Sequence, residues 1–377
     1  MTAALAPRAR WRRRALRLIG ALPWPVRRPT PITRVALLRP DHLGDLVLAA
    51  PAIARLCAAL PEAEVHLWVG PWAEPVAQGI GGVTLRTLPF PGFERAPKRS
   101  VIGPYRRLAA DVVRLRAERY DALVILRFDH WWGALLARLA GIPVRLGYDQ
   151  ADVAPFLSHR VRYRPGLHET LQNTRLIDRL IRLAGSVPPA KPPERPALAF
   201  VDEVPPEGLP ERFAVIHPGA GSPVKRWRTE RYAAVAHWLE ERGIAIVVSG
   251  SEAERALVEE TLAALPVPAR PLVGLPLPRL AAALRRATLA IGPDSGIMHL
   301  ASSVGTPTVR LYGPVDPRAF GPWAAPDSHV VASRFPCAPC NRLDWTERDL
   351  PMHPCVFDLP VAPVIAAIER VLPARVA

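Results

Sequence analysis

The sequence predicts two doubly wound α/β domains, on three observations. The chain has 377 residues, 49% of them hydrophobic and 22% charged, enough for two ordinary globular cores. Short apolar runs alternate with segments of helical period along most of its length, the pattern of βα units around a buried parallel sheet. A proline-rich stretch over 188–210, PPAKPPERP followed by VPPEGLP, carries little periodicity and divides that alternation in two. It reads as an interdomain linker.

In the first half, Arg34–Leu38 (RVALL) reads as a buried strand and 46–60 as a helical stretch bent or restarted at Pro51. Glu64–Val69 and Val83–Leu88 read as further strands. A helix over 105–119 carries Leu108, Val112 and Leu115 on one stripe and leads into another buried strand, Tyr120–Leu126. In the second half, Phe213–His217, Ile244–Ser249, Leu289–Ile291 and Thr308–Tyr312 read as strands. Helices fall over 230–242, 252–265, 280–287 and 295–304, and a last helix over 361–372 closes the chain. The expected organisation is a basic arm (1–30), a first domain (31–187), the linker, a second domain (211–360) and a C-terminal helical segment (361–377).

Lys+Arg is 49 against Asp+Glu 34, a net charge of +15, which favours anionic partners such as phosphates or an acidic membrane surface. Only Lys98, Lys191 and Lys225 are lysines, so the arginine excess, with 45 prolines, is also what a coding bias produces. No nucleic-acid module is visible, and nucleic acid is set aside as a partner. Four cysteines in a chain of this length do not make a secreted disulfide framework, and a reducing, cytoplasmic setting is expected. Arg8, Arg10, Arg12, Arg13, Arg14 and Arg17 precede a short apolar stretch, Leu18–Trp24, that Pro23, Pro25 and Arg27 interrupt. A signal peptide needs a longer apolar core, and no apolar run is long enough to span a bilayer. Two readings remain for the arm, an amphipathic segment resting on anionic lipid at the inner face of the cytoplasmic membrane and a basic tail without structure.

Open α/β sheets bind ligands beyond the carboxyl ends of their strands, so the chemistry is sought in those loops. RPDHLGD (39–45) puts Arg39, Asp41 and Asp45 there, with Gly44 allowing close backbone approach. Asp45 is either a helix N-cap or a carboxylate that takes a proton from an attacking hydroxyl. HPGAGSPVKRW (217–227) supplies a small-residue turn, Gly219, Ala220, Gly221 and Ser222, whose amides suit phosphate oxygens, and Lys225 as a mobile cation. Ser249 and Gly250 end the next strand, and Glu252 or Glu254 either meets a ribose hydroxyl or simply starts a helix. IGPDSGIMHLASSVGTPTVRLYGP (291–314) places Asp294, Ser295, Gly296 and His299 at a helix start, where unpaired amides and the dipole suit a diphosphate. The plainer alternatives are an N-cap for Asp294 and a satisfied, partly buried imidazole for His299. Cys337, Cys340, His353 and Cys355 offer four soft ligands, but their spacing is not that of a zinc finger, and a packed or redox-capable loop is preferred to a structural zinc.

Taken in order from about residue 33 to 372, RVALLRPDHLGDLVLAAPAIARL, VIHPGAGSPVKRW, the 291–314 segment and the cysteine-bearing tail resemble glycosyltransferase family 9, the ADP-heptose:lipopolysaccharide heptosyltransferase-like enzymes. The resemblance implies a GT-B fold, in which an acceptor-side domain and a nucleotide-sugar domain face a central cleft and the last helix often crosses back. It implies Asp45 as catalytic base, Lys225 as the cation that meets leaving-diphosphate charge, and Asp294, Ser295, Gly296 and His299 as the diphosphate and sugar cradle. Glu252 would stand by the ribose, Val273 and Gly274 beside the adenine, and Arg39 and Asp41 on the acceptor side. The implied reaction is inverting transfer from a nucleoside-diphosphate sugar, by default ADP-heptose, to a glycan or glycolipid such as the lipopolysaccharide core, with no cofactor and no metal. A non-hydrolysing sugar-nucleotide epimerase and a non-catalytic binder of anionic glycolipid are the alternatives. The basic arm and FDHWWG (128–133) depart from the common pattern, which leaves the acceptor open.

Overall fold

The computed structural model describes residues 7–28, 31–93, 103–201 and 204–372. Residues 1–6 and 29–30 of the basic arm, the Arg8 side chain, Lys98 and residues 373–377 lie outside the described residues. The chain forms two compact units: Met1–His42, Pro51–Pro165 and Thr170–Pro193 make the first, and Leu43–Ala50, Gly166–Glu169 and Glu194–Ala377 the second.

The first unit holds six parallel strands, β1 (Arg34–Arg39), β2 (Glu64–Val69), β3 (Thr84–Thr87), β4 (Ala122–Ile125), β5 (Val144–Tyr148) and β6 (His159–Val161), in the order β3-β2-β1-β4-β5-β6. The second repeats the plan with β7 (Phe213–Ile216), β8 (Ala245–Gly250), β9 (Ala269–Val273), β10 (Leu289–Pro293), β11 (Thr308–Tyr312) and β12 (Ser328–Ala332), ordered β12-β11-β10-β7-β8-β9. Helices between parallel strands cover both faces of each sheet, which is why VALL (35–38), FAVI and LAIGP are apolar without alternation and buried residue by residue. The strand order reverses between β1 and β4 and again between β7 and β10. Those reversals open a crevice at the carboxyl edge of a doubly wound sheet.

Most expected elements stand within a few residues of their predicted bounds. The helical stretch expected to bend or restart at Pro51 does not restart: it runs from Leu43 to Ala59 with Pro51 inside. Proline removes one ladder hydrogen bond, and burial of Leu46 through Ala50, Ala52 and Ile53 in the surrounding core holds the helix through it. The cap of this helix is His42, and Asp45 lies in its first turn, so the N-cap reading of Asp45 fails. Helices at Trp131–Leu139 and Glu169–Leu183 and strands β5, β6 and β12 were not anticipated. Six of the nine residues of Trp131–Leu139 are buried, so its apolar residues follow no amphipathic period. Among the described residues no helix is long and apolar enough to cross a membrane.

Candidate active site

The second unit carries a cluster of charged side chains at its strand reversal. Loops following β7 and β10 meet there, and the Lys225 ammonium donates to Asp294 Oδ2 at 2.8 Å. Asp294 is buried; burial works against its charge, but Lys225 and His299 outweigh it and hold the carboxyl well below the usual range. The helix Gly296–Ser303 is capped by Ser295, whose Oγ accepts from the Met298 amide. The N-cap expected of Asp294 therefore belongs to its neighbour. The first amides of such a helix, here Gly296 and Ile297, have no acceptor within it, and the helix dipole adds positive potential.

His299 completes the cluster. Arg310 Nη1 lies 3.0 Å from His299 Nδ1, and a guanidinium can only donate, so Nδ1 accepts and the ring proton sits on Nε2. That nitrogen faces Asp294 Oδ1 at 3.6 Å. Burial, with the neighbouring Arg310, pushes the imidazole down to about 4, so it is neutral at pH 7. One carboxylate against Lys225 and Arg310, with a neutral histidine between, leaves a net positive charge at a helix N-terminus. An anion suits that environment.

Gly44 lies against this cluster. A Cβ at Gly44 would stand 3.1 Å from His299 Cδ2 and 3.4 Å from the Gly296 Cα, and one at Gly296 would stand 3.0 Å from the Leu43 Cβ. A Cβ at either position would force its neighbour to give by a few tenths of an ångström, so the two glycines ease this close approach. Asp45 follows by one peptide, so its Cα lies within roughly 9 Å of the Gly296 Cα.

Neighbouring loops hold the other expected donor-side residues. Ser222 Oγ donates to the Leu343 carbonyl, which leaves the amides rather than that hydroxyl proton to meet a ligand. Ala220 is buried and Gly221 exposed. Ser249 is buried, its carbonyl 3.1 Å and its Oγ 3.2 Å from His217 Nδ1. At the ends of β8 and β9, which pair in register Gly250 to Val273, the Gly274 amide donates to the Gly250 carbonyl. Gly274 has φ +67°, and a Cβ there would stand 2.8 Å from Glu252 Oε2, so Gly250, Glu252, Val273 and Gly274 share one edge. Glu252 is exposed and paired with Arg255 at 2.7 and 2.9 Å. The half-buried carboxylate is Glu254: it caps its helix through Ser251 and occupies the space a Cβ on Gly219 would need. Of the two glutamates, Glu254 therefore stands at the small-residue turn.

One expectation needs correction. Arg39 and Asp41 do not present themselves to an acceptor: both are buried, with Arg39 Nε 2.7 Å from Asp41 Oδ2. Arg39 also donates to the Leu126 carbonyl and to Asn173 Oδ1, and Asp41 takes a second cation from Arg127. These contacts lock the carboxyl edge of the first sheet. The cation with open surface there is Arg127, over the Phe93 ring at 5.0 Å, beside a buried His130 walled by Phe90, Phe93 and Trp132. Among the described residues no three His, Cys, Asp or Glu side chains are grouped to hold a metal, and His353 is stacked on Trp345.

Arg310 escaped the sequence reading because TVRLY scans as an ordinary buried strand. An arginine in the middle of such a run is the signal that was available, since a buried cation needs partners.

Residues 110–349 match glycosyltransferase family 9 (heptosyltransferase), well over half of the chain. The chain belongs to glycosyltransferase family 9. It is similar to lipopolysaccharide heptosyltransferase 3 of Escherichia coli, 26% identical over 346 residues, covering 88% of this chain and 96% of that protein. It is also similar to lipopolysaccharide heptosyltransferase 2 of Escherichia coli K12, 29% identical over 304 residues, with 75% and 84% covered. Among solved structures, the family 9 glycosyl transferase of Veillonella parvula superposes with TM-score 0.70 at 21% identity, covering 91% of this chain and 99% of that one. The ADP-heptose lipopolysaccharide heptosyltransferase II of Escherichia coli gives 0.68 at 22%, with 90% and 98% covered. The fold is of the GT-B type, as the resemblance implied, and this family 9 member is a glycosyltransferase.

Stability of this glycosyltransferase should decline on mild acidification. His130, like His299, is pushed by burial down to about 4, whereas unfolded histidine titrates near 6.5. A depressed base is fully compatible with the fold above pH 6.5; between there and about 4 the unfolded chain binds more protons, so stability falls as pH falls. Urea unfolding should lose on the order of 3 kcal/mol per histidine across that window. A flat profile would contradict the neutral, buried assignment.

Proposed function

We propose that this glycosyltransferase moves heptose from ADP-heptose to a hydroxyl of a lipopolysaccharide-core glycan, with inversion at the anomeric carbon. The observation that carries the reading is Lys225, Asp294, His299 and Arg310 gathered at the N-terminus of helix Gly296–Ser303, with the segment bearing Asp45 packed on it through Gly44. The names of the relatives, lipopolysaccharide heptosyltransferases 2 and 3, supply the transferred sugar and the acceptor class, and that of the Escherichia coli ADP-heptose heptosyltransferase II structure supplies the donor.

In this mechanism Asp45 takes the proton from the acceptor hydroxyl as that oxygen attacks the anomeric carbon from the face opposite the leaving diphosphate. The C–O bond to ADP breaks as the new glycosidic bond forms. Negative charge then grows on the diphosphate, where the amides of Gly296 and Ile297 and the remaining donors of Lys225 stand ready to meet it. Asp294 holds both Lys225 and the His299 Nε2–H in place. The turn 219–222 and the edge formed by Gly250, Glu252, Val273 and Gly274 receive the nucleotide. Protein cations and amides supply the charge that a divalent ion supplies in other transferases, so turnover should survive chelator.

The test is an assay of ADP release and product formation with ADP-heptose and a lipopolysaccharide core lacking its terminal heptose, with and without EDTA. ADP release that requires the acceptor and yields a heptosylated product of inverted configuration supports the reading. Donor isomerisation without ADP release points to the epimerase, and binding without turnover to the non-catalytic alternative; either result overturns it.

A further inference from the structure

We infer that helix Pro7–Ala21 is an anchor that lays the first unit on an anionic phospholipid surface. The helix is held by one side. Leu16 is buried in the core of the first unit with Ile19 packed against it, and Gly20 meets Pro155 so closely that a Cβ would stand 2.6 Å from its side chain. Arg12 and Arg13 both bind Asp152, at 2.7 and 2.8 Å. Beyond the helix, Arg27 donates to the carbonyls of Arg119 and Tyr120 and to Asp121. These contacts give the segment a fixed orientation, so the basic tail without structure is not the form observed over residues 7–28.

The outward side is then defined. At 100° per residue, Trp11 and Leu18 share one direction, well away from that of Leu16 and Gly20, and Leu22 follows the last helical residue, Ala21. Trp11, Leu18 and Leu22 are 76%, 72% and 49% exposed. Single exposed leucines are ordinary; a tryptophan and a leucine on one helix face, with a second exposed leucine just past the helix end, are not. Arg14 and Arg17 lie along one side of that face and, with Leu18, line an open surface pocket, and the helix contains no acidic residue. A face that combines a tryptophan, leucines and arginines with no carboxylate matches a bilayer interface, where rings and aliphatic chains enter the acyl boundary and guanidinium groups meet headgroup phosphates. A polyanion such as nucleic acid answers the arginines but leaves Leu18 and Leu22 uncovered. A second copy of the same face brings arginines against arginines.

The test is co-sedimentation of the full chain with vesicles of phosphatidylglycerol and phosphatidylcholine, compared with phosphatidylcholine alone, at low and high salt. Two variants leave the buried side intact: Arg14→Glu with Arg17→Glu, and Trp11→Ser with Leu18→Ser. Wild type should bind the anionic vesicles in a salt-sensitive way, and each variant should bind at least about tenfold less. Unchanged thermal unfolding shows that the variants fold. Vesicle binding that neither variant weakens, equal binding to pure phosphatidylcholine, or no vesicle binding with a self-association that the variants abolish overturns the inference. The readout uses neither donor nor acceptor, so its failure is distinct from failure of the proposed transfer reaction.

Discussion

Asp45→Asn should lower kcat by at least about a hundredfold while leaving ADP affinity nearly unchanged, the usual range for loss of a general base being 10²–10⁴. Asparagine keeps the shape and hydrogen-bonding reach of aspartate but accepts no proton at neutral pH. Asp45 sits in the first turn of helix Leu43–Ala59, where the helix dipole favours the carboxylate, and the close approach of Gly44 to Gly296 and His299 keeps it beside the proposed diphosphate cradle. Turnover at saturating donor and acceptor, with ADP affinity followed by thermal shift, separates the proton-transfer role from a binding role. An Asp45→Asn enzyme working within about threefold of wild type removes Asp45 from the proposed chemistry. A large loss of ADP affinity with kcat intact would instead make it a binding residue.

The sequence made the parallel strands legible because residues buried on both faces of a sheet leave uninterrupted apolar runs, and the glycine-bearing turns legible because close backbone approach tolerates no Cβ. It marked Lys225, Asp294 and His299 by their place after strands. Which of them touch was not legible. The ion pair of Lys225 with Asp294 joins loops 69 residues apart, and the Arg310 that sets the His299 tautomer looks, in one dimension, like a strand residue. Arg39 and Asp41 misled for a related reason. Charged residues just past a strand suggest a ligand, but a cation and a carboxylate two residues apart there can satisfy each other, and in the first unit they do. Glu252 and Glu254, also two residues apart, were separated only by the helix phase that turns Glu254 inward.

Lys225→Met should affect two quantities at once. Losing one preorganised donor to the leaving group costs on the order of a hundredfold in kcat, with weaker ADP affinity alongside. Methionine keeps the length of the stem and removes the charge, so Asp294 remains buried without its cation, and stability should fall by about 3 kcal/mol, the scale for breaking a buried pair. The pH dependence identifies the cause. In wild type the Asp294 carboxyl titrates well below its unfolded value of about 3.9, so its stabilising effect is present above that pH and is lost as pH falls further. Without Lys225, burial acts with less opposition and raises that carboxyl, so acidification protonates it and relieves the strain. The stability difference between wild type and Lys225→Met should therefore be largest at neutral pH and narrow below about pH 4. Adding Asp294→Asn removes the stranded charge, so Lys225→Met with Asp294→Asn should regain most of the stability and none of the turnover. Urea unfolding and steady-state kinetics on wild type and these two variants distinguish these contributions. If the double variant regained turnover, the Lys225 ammonium would not be acting on the leaving diphosphate.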